Sequence, residues 1–151
     1  MKVVLVDIPI LEVDNGYSIV HKEILFPALG LYYLQEYVRN HNKNISIEIL
    51  QHSHLSFEES IDIVLQKDAA VVGITCYTDR RVNVFRYCKE LKKKRVDIKL
   101  ILGGPHASAL AKQILQNYEF IDFIVIGEGE LTFSELLEYL SNNNEDYSKI
   151  N

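Results

Sequence analysis

Five short apolar runs alternate along this chain with longer stretches of helical spacing. The runs are Lys2 to Asp7, Ile45 to Leu50, Ala70 to Cys76, Ile98 to Leu102 and Asp122 to Ile126, and each has the length and composition of a strand. The stretches between and after them each carry one apolar stripe at i, i+3, i+4 spacing. These stripes comprise Leu31, Leu34 and Val38; then Ile61, Val64 and Leu65; then Val84, Phe85, Cys88 and Leu91; then Leu110, Ile114 and Leu115; and finally Phe133, Leu136, Leu137 and Leu140. The pattern predicts a strand–helix unit repeated five times.

Two helix starts have the spelling of a capping box. One is Ser56 with Glu59; the other is Thr132 with Glu135, where Leu131 and Leu136 are placed as a hydrophobic staple. Four strands are nearly continuous in apolar residues, as strands covered on both faces are, whereas Ile45-Ser46-Ile47-Glu48-Ile49 alternates like an edge strand. Right-handed crossovers then leave few arrangements. The expected fold is α/β: a five-stranded parallel doubly wound sheet, Rossmann-like and flavodoxin-like, of strand order 2-1-3-4-5. In such a sheet ligands lie beyond the carboxyl ends of the strands, at the crevice where the order reverses beside strands one and three.

Composition narrows the function classes. The chain has 151 residues, 48% hydrophobic and 25% charged, which is the composition of an ordinary globular domain able to build a core without disulfides or metals. A net charge of −5 argues against a nucleic-acid surface. The basic run Lys92-Lys93-Lys94-Arg95 falls at a helix end, where cations complement the dipole and face water. The two cysteines, Cys76 and Cys88, match no metal spacing and read as reduced thiols inside apolar patterns of a cytoplasmic protein. No run is long enough for a membrane span or a signal peptide. The last residues, 142–151, read as a polar tail or the start of a linker, so that residues 1–141 form the domain.

Residues with chemical potential gather at the carboxyl edge. Pro9 opens a long loop after strand one; Thr75, Cys76, Tyr77 and Thr78 follow strand three. Gly103, Gly104, Pro105, His106, Ala107 and Ser108 follow strand four, and Gly127, Glu128, Gly129 and Glu130 follow strand five. Gly103 and Gly104 let a flat group approach the main chain, and a bulky residue at 104 is expected to block it without unfolding the protein. The same glycines also suit a tight strand-to-helix turn. Thr75 and Tyr77 share a face if the strand continues, offering a hydroxyl and an aromatic wall. His106 offers a ligand or acid–base nitrogen, although a lone loop histidine is ordinarily a plain polar side chain. His52 and His54 lack further partners for a metal. Gly127-x-Gly129 lacks the third glycine of a dinucleotide fingerprint, its flanking acids would repel a pyrophosphate, and no P-loop occurs.

Taken together, "FPALGLYYLQEYVR", "VVGITCYT", "LILGGPHAS" and "DFIVIGEGELTFSELLEYL" resemble the amino-terminal cobalamin-binding domain of cobalamin-dependent radical S-adenosylmethionine enzymes, a group that includes methyltransferases and an oxidative cyclase. The resemblance implies a cobalamin whose nucleotide-like tail enters the crevice, with the corrin ring over the carboxyl edge. It implies that Thr75 and Tyr77 line the tail pocket, that the tail packs on Gly103 and Gly104, and that Pro105 to Ser108 form the following loop. It further implies that the acidic turn at Glu128 and Glu130 leads toward a catalytic domain.

Two departures qualify these expectations. The loop after strand one has Asp14-Asn15-Gly16 and a later His21, without the Asp-x-His-x-x-Gly spelling that supplies a histidine to cobalt, so no protein ligand to the metal is assigned. Radical chemistry requires a Cys-x-x-x-Cys-x-x-Cys motif, and two cysteines cannot supply three thiolates. The iron–sulfur cluster and S-adenosylmethionine are therefore expected only in a radical domain outside these residues, with methyl transfer the expected chemistry of the whole. The competing expectations are a receiver-like interaction module and a flavin- or nucleotide-binding domain. A receiver needs a phosphate-accepting Asp at the end of strand three, where this chain has Thr75-Cys76-Tyr77-Thr78.

Overall fold

The computed structural model describes residues 1–8, 28–52, 54–144 and 146–150. Pro9, Asp14-Asn15-Gly16 and His21, all singled out in the sequence, lie outside the described residues. Five parallel strands are connected through helices: β1 (Lys2–Asp7), α1 (Leu29–His41), β2 (Ser46–Gln51), α2 (Phe57–Gln66), β3 (Val71–Thr75), α3 (Arg81–Lys94), β4 (Lys99–Gly103), α4 (Pro105–Ala109), α5 (Ala111–Asn117), β5 (Phe123–Ile124) and α6 (Glu130–Ser141). The strand order is 2-1-3-4-5 and every pairing is parallel, as the alternation of apolar runs predicts.

The two faces of the sheet carry separate cores because side chains alternate along each strand. Val4, Val6, Val72, Ile74, Leu100 and Leu102 face α2, α3 and α5. Val3, Leu5, Val71 and Ile101 face α1 and α6. Ser56 caps α2 as expected: its hydroxyl accepts from the Glu59 amide while the Glu59 carboxylate accepts from the Ser56 amide. That pair of bonds holds the Glu59 carboxyl below its usual range.

Three local expectations are corrected. The helix expected around Leu110 is two helices, α4 and α5, with Leu110 between them at φ −123° and partly exposed, while Ile114 alone of its stripe is fully buried. The box at Thr132 does not start α6, which begins at Glu130 after Gly129, whose carbonyl accepts from the Phe133 amide at 2.8 Å. Leu131 is correspondingly exposed rather than stapled. The basic run also does not simply face water: Lys92 Nζ donates to Asp122 Oδ2 at 2.7 Å and to the Ile98 carbonyl at 2.6 Å, and Arg95 donates to the Ala69 carbonyl. Both cysteines are free and buried. Beyond α6, Tyr147 packs edge-on against Phe123 with ring centroids 5.1 Å apart.

Candidate functional site

Strand register makes a hollow at one place on the α1/α6 face. Gly73 lies between Leu5 and Ile101 in one row across the sheet, and Thr75 lies opposite Gly103 in the next. Two glycines and a threonine thus occupy positions where larger side chains would fill the space between sheet and helices. The resulting cavity has a volume of about 200 Å³. Its floor is β3 and β4 with Leu5 of β1, its sides come from Leu31 and Leu34 of α1 and Phe133 of α6, and its mouth is ringed by Tyr77, Gly104 and the 127–130 turn. Its floor thus spans residues of β1, β3 and β4 at the carboxyl edge, the edge on which the crevice was expected.

The two neighbouring glycines after β4 do different things. Gly103 has ordinary backbone angles, and a Cβ placed there would meet nothing nearer than the Val125 carbonyl at 4.0 Å, so its missing side chain is cavity space. Gly104 has φ +88°, and a Cβ there would stand 2.7 Å from Thr75 Oγ1 and 3.1 Å from the Cys76 amide nitrogen and carbonyl oxygen. Its close approach is to the protein itself, so a bulky residue at 104 would disturb the fold before it blocked a ligand.

The candidate residues separate into two sets. Thr75, Tyr77, Gly103, Gly104, Gly127, Glu128 and Gly129 line the cavity. Thr78, Pro105, His106, Ala107 and Ser108 are not among its walls. Thr78 Oγ1 lies 3.1 Å from His106 Nδ1, and the His106 ring is buried near Phe85. Ser108 Oγ accepts from the Gly127 amide at 3.0 Å. The stretch read as a loop, Pro105 to Ser108, is most of α4. Gly73, Leu34 and Phe133 were not among the candidates, and an isolated glycine within a strand pattern is the signal that marks Gly73.

Two polar clusters flank the same edge outside the cavity. Asp7, at the end of β1, pairs with Arg80 at 3.3 Å; burial pushes its carboxyl up, and the Arg80 charge partly opposes this. His52 is buried, with Nδ1 2.8 Å from Ser60 Oγ, which is in turn 2.8 Å from the Tyr87 hydroxyl. His54 is exposed, so the two histidines do not converge. Burial pushes the Cys76 thiol up to about 11 and the Cys88 thiol higher still, so neither is a reactive thiolate at neutral pH. Among the described residues no group of three or more His, Cys, Asp or Glu could hold a metal ion, and no helix is long and apolar enough to cross a membrane.

Residues 22–137 match the B12 binding domain family. An uncharacterized methyltransferase of Pyrococcus horikoshii is 34% identical over 119 residues, covering 79% of this chain and 26% of its own length. The cobalamin-dependent radical SAM methyltransferase TokK of Streptomyces tokunonensis is 25% identical over 93 residues, covering 62% of this chain and 13% of its own length. The cobalamin-dependent S-adenosylmethionine radical enzyme OxsB, solved with aqua-cobalamin and S-adenosylmethionine bound, superposes with a TM-score of 0.76 over 99% of this chain and 20% of its own, at 17% identity. The chain therefore spans about a quarter or less of the length of these relatives.

Proposed function

Because this chain belongs to the B12 binding domain family, and is related to cobalamin-dependent radical SAM methyltransferases, we propose that it holds cobalamin with the corrin ring over the carboxyl edge of its sheet, facing a radical S-adenosylmethionine domain. The cofactor is cobalamin. The reading rests chiefly on one observation: the cavity between the sheet and the α1/α6 layer, floored by Gly73 and Gly103 and open at the strand ends.

The residues present fit such a group. A volume of about 200 Å³ is below the roughly 300–1,000 Å³ of sites that enclose a whole drug-sized molecule, which suits a nucleotide-like appendage rather than a corrin. Leu5, Leu34 and Phe133 supply apolar walls for a flat ring, while Thr75 lines the cavity with its hydroxyl beside Gly104, a group that can donate one hydrogen bond and accept two. Tyr77, 46% exposed at the mouth, offers its ring to whatever lies above. Glu128 lines the acidic rim, where carboxylates accept hydrogen bonds from amide groups.

Bound cobalamin supplies organometallic group-transfer chemistry; the chain contributes the slot, exclusion of water from the buried tail, and orientation. In this reading residues 1–141 are the cofactor domain and 142–151 lead toward the remainder of a longer enzyme, where the radical cluster resides. Methyl transfer is the reaction class that the related methyltransferases support.

The test is retention of the cofactor. Purified protein mixed with hydroxocobalamin and passed through gel filtration should co-elute with about one equivalent, with the visible spectrum of the base-off form. Elution free of the corrinoid, with flavin retained instead, would overturn the proposal.

A further inference from the structure

The segment Pro105–Ala109 touches none of the cavity, yet both sides of the mouth are tied to it. On one side, His106 clamps the residues that flank Tyr77. Its amide donates to the Cys76 carbonyl at 3.1 Å, and its Nδ1 meets Thr78 Oγ1 at 3.1 Å. The Cys76 amide donates to the Gly103 carbonyl at 2.8 Å, and Arg81 Nη1 donates to the Thr78 carbonyl at 2.6 Å. On the other side, Ser108 Oγ accepts from the amide of Gly127, which sits at φ +75° and begins the turn whose Glu128 and Gly129 form the opposite lip. One α-helical turn thus holds the aromatic lip and the acidic lip at a fixed separation.

Resting on the cobalamin reading above, we propose that His106 and Ser108 are positioning residues that set the width of the mouth, and so govern how well the chain recognises the nucleotide tail of a corrinoid. Neither side chain meets the ligand. His106 is buried and turned toward Phe85 and Thr78, and the Ser108 hydroxyl is directed at the Gly127 amide. Their effect passes through two hydrogen-bonded lips. Removing the serine hydroxyl leaves the exposed Gly127 amide to water and loosens the turn that carries Glu128 and Gly129; removing the Thr78 hydroxyl breaks the side-chain tie to His106 and leaves that side of Tyr77 held by the Arg81–Thr78 and His106–Cys76 backbone contacts.

The experiment compares two ligands on the same proteins. Cobalamin carries the nucleotide tail and cobinamide lacks it. Dissociation constants for both are measured with the wild-type chain and with Ser108→Ala, Ser108→Thr and Thr78→Val, whose far-ultraviolet circular dichroism and melting temperatures verify folding. The expected result is a threefold to tenfold loss of affinity for cobalamin in Ser108→Ala and Thr78→Val, about what one hydrogen bond is worth. Cobinamide affinity stays unchanged, and Ser108→Thr, which keeps the hydroxyl, recovers cobalamin binding. Equal losses for both corrinoids, or no loss for either, would overturn the positioning role while leaving the cobalamin reading intact. A wild-type chain that binds neither corrinoid overturns that reading and this one together.

Discussion

At the scale of single residues, adjacent glycines of identical composition have opposite roles. Gly104→Ala should destabilise the protein by about 1–3 kcal/mol, because φ +88° resists a side chain and the added carbon meets the Thr75 hydroxyl and the Cys76 backbone. Gly103→Ala should leave the melting temperature nearly unchanged, since its Cβ has 4.0 Å of clearance, while weakening cobalamin retention on gel filtration. Thermal melting of the two variants, alongside the retention assay, checks the pair. From the sequence the dipeptide was legible as the mark of a close approach. What the approach was to could not be read, because Cys76 reaches Gly104 only through the parallel pairing of two strands. His106 and Ser108 were legible as candidates by their place after β4, but their partners, Thr78 and Gly127, come from loops 28 and 19 residues away.

At the scale of elements, α3 is tied to the far edge of the sheet by Asp122. Its carboxylate accepts from Lys92 Nζ, from Lys99 Nζ at 3.4 Å and from the Leu100 amide at 2.8 Å, with the side chains of Asp122 and Lys92 each 17% exposed. A pair so far removed from water is worth more than a surface contact, and Asp122→Ala also leaves the Leu100 amide unpaired. The substitution should lower stability by about 1–3 kcal/mol, read as a shift of the urea midpoint. Element order, strand pairing and the Ser56 cap were legible because apolar periodicity and capping chemistry are local. The start of α6 was not. Thr132 and Glu135 have the right spelling, but the chain turns earlier, where Gly129 fits against Leu34 and Val125, whose side chains would stand 3.3 and 3.4 Å from a Cβ. Likewise Leu110, Ile114 and Leu115 have continuous helical spacing, while α4 is fastened to two neighbouring loops and the chain re-aims at Leu110 to bury Ile114.

For the whole molecule, stability should depend on pH through the buried chain His52–Ser60–Tyr87, which joins the end of β2 to α2 and α3. Burial, followed by the charges of His54 and Lys67, lowers the His52 affinity for a proton below the ordinary value of 6.5. A histidine lowered in the folded state contributes stability that is fully present above 6.5 and is lost as pH falls through the folded value. The urea midpoint should therefore fall on acidification below about pH 6.5, and the fall should be smaller in His52→Gln, which cannot take up the proton. A wild-type midpoint that is flat across this range would remove His52 from the account.

The molecule is also a laminate with unequal plies. One ply, the α2, α3 and α5 side, is packed by its own side chains among the described residues, down to the fully enclosed Tyr87 and Leu91. The other is built of α1 and α6 and keeps a gap at its open end. A guest entering that gap wedges a single seam, so the other ply can remain a backing plate while α1, α6 and the turns at the strand ends adjust to lodging and release.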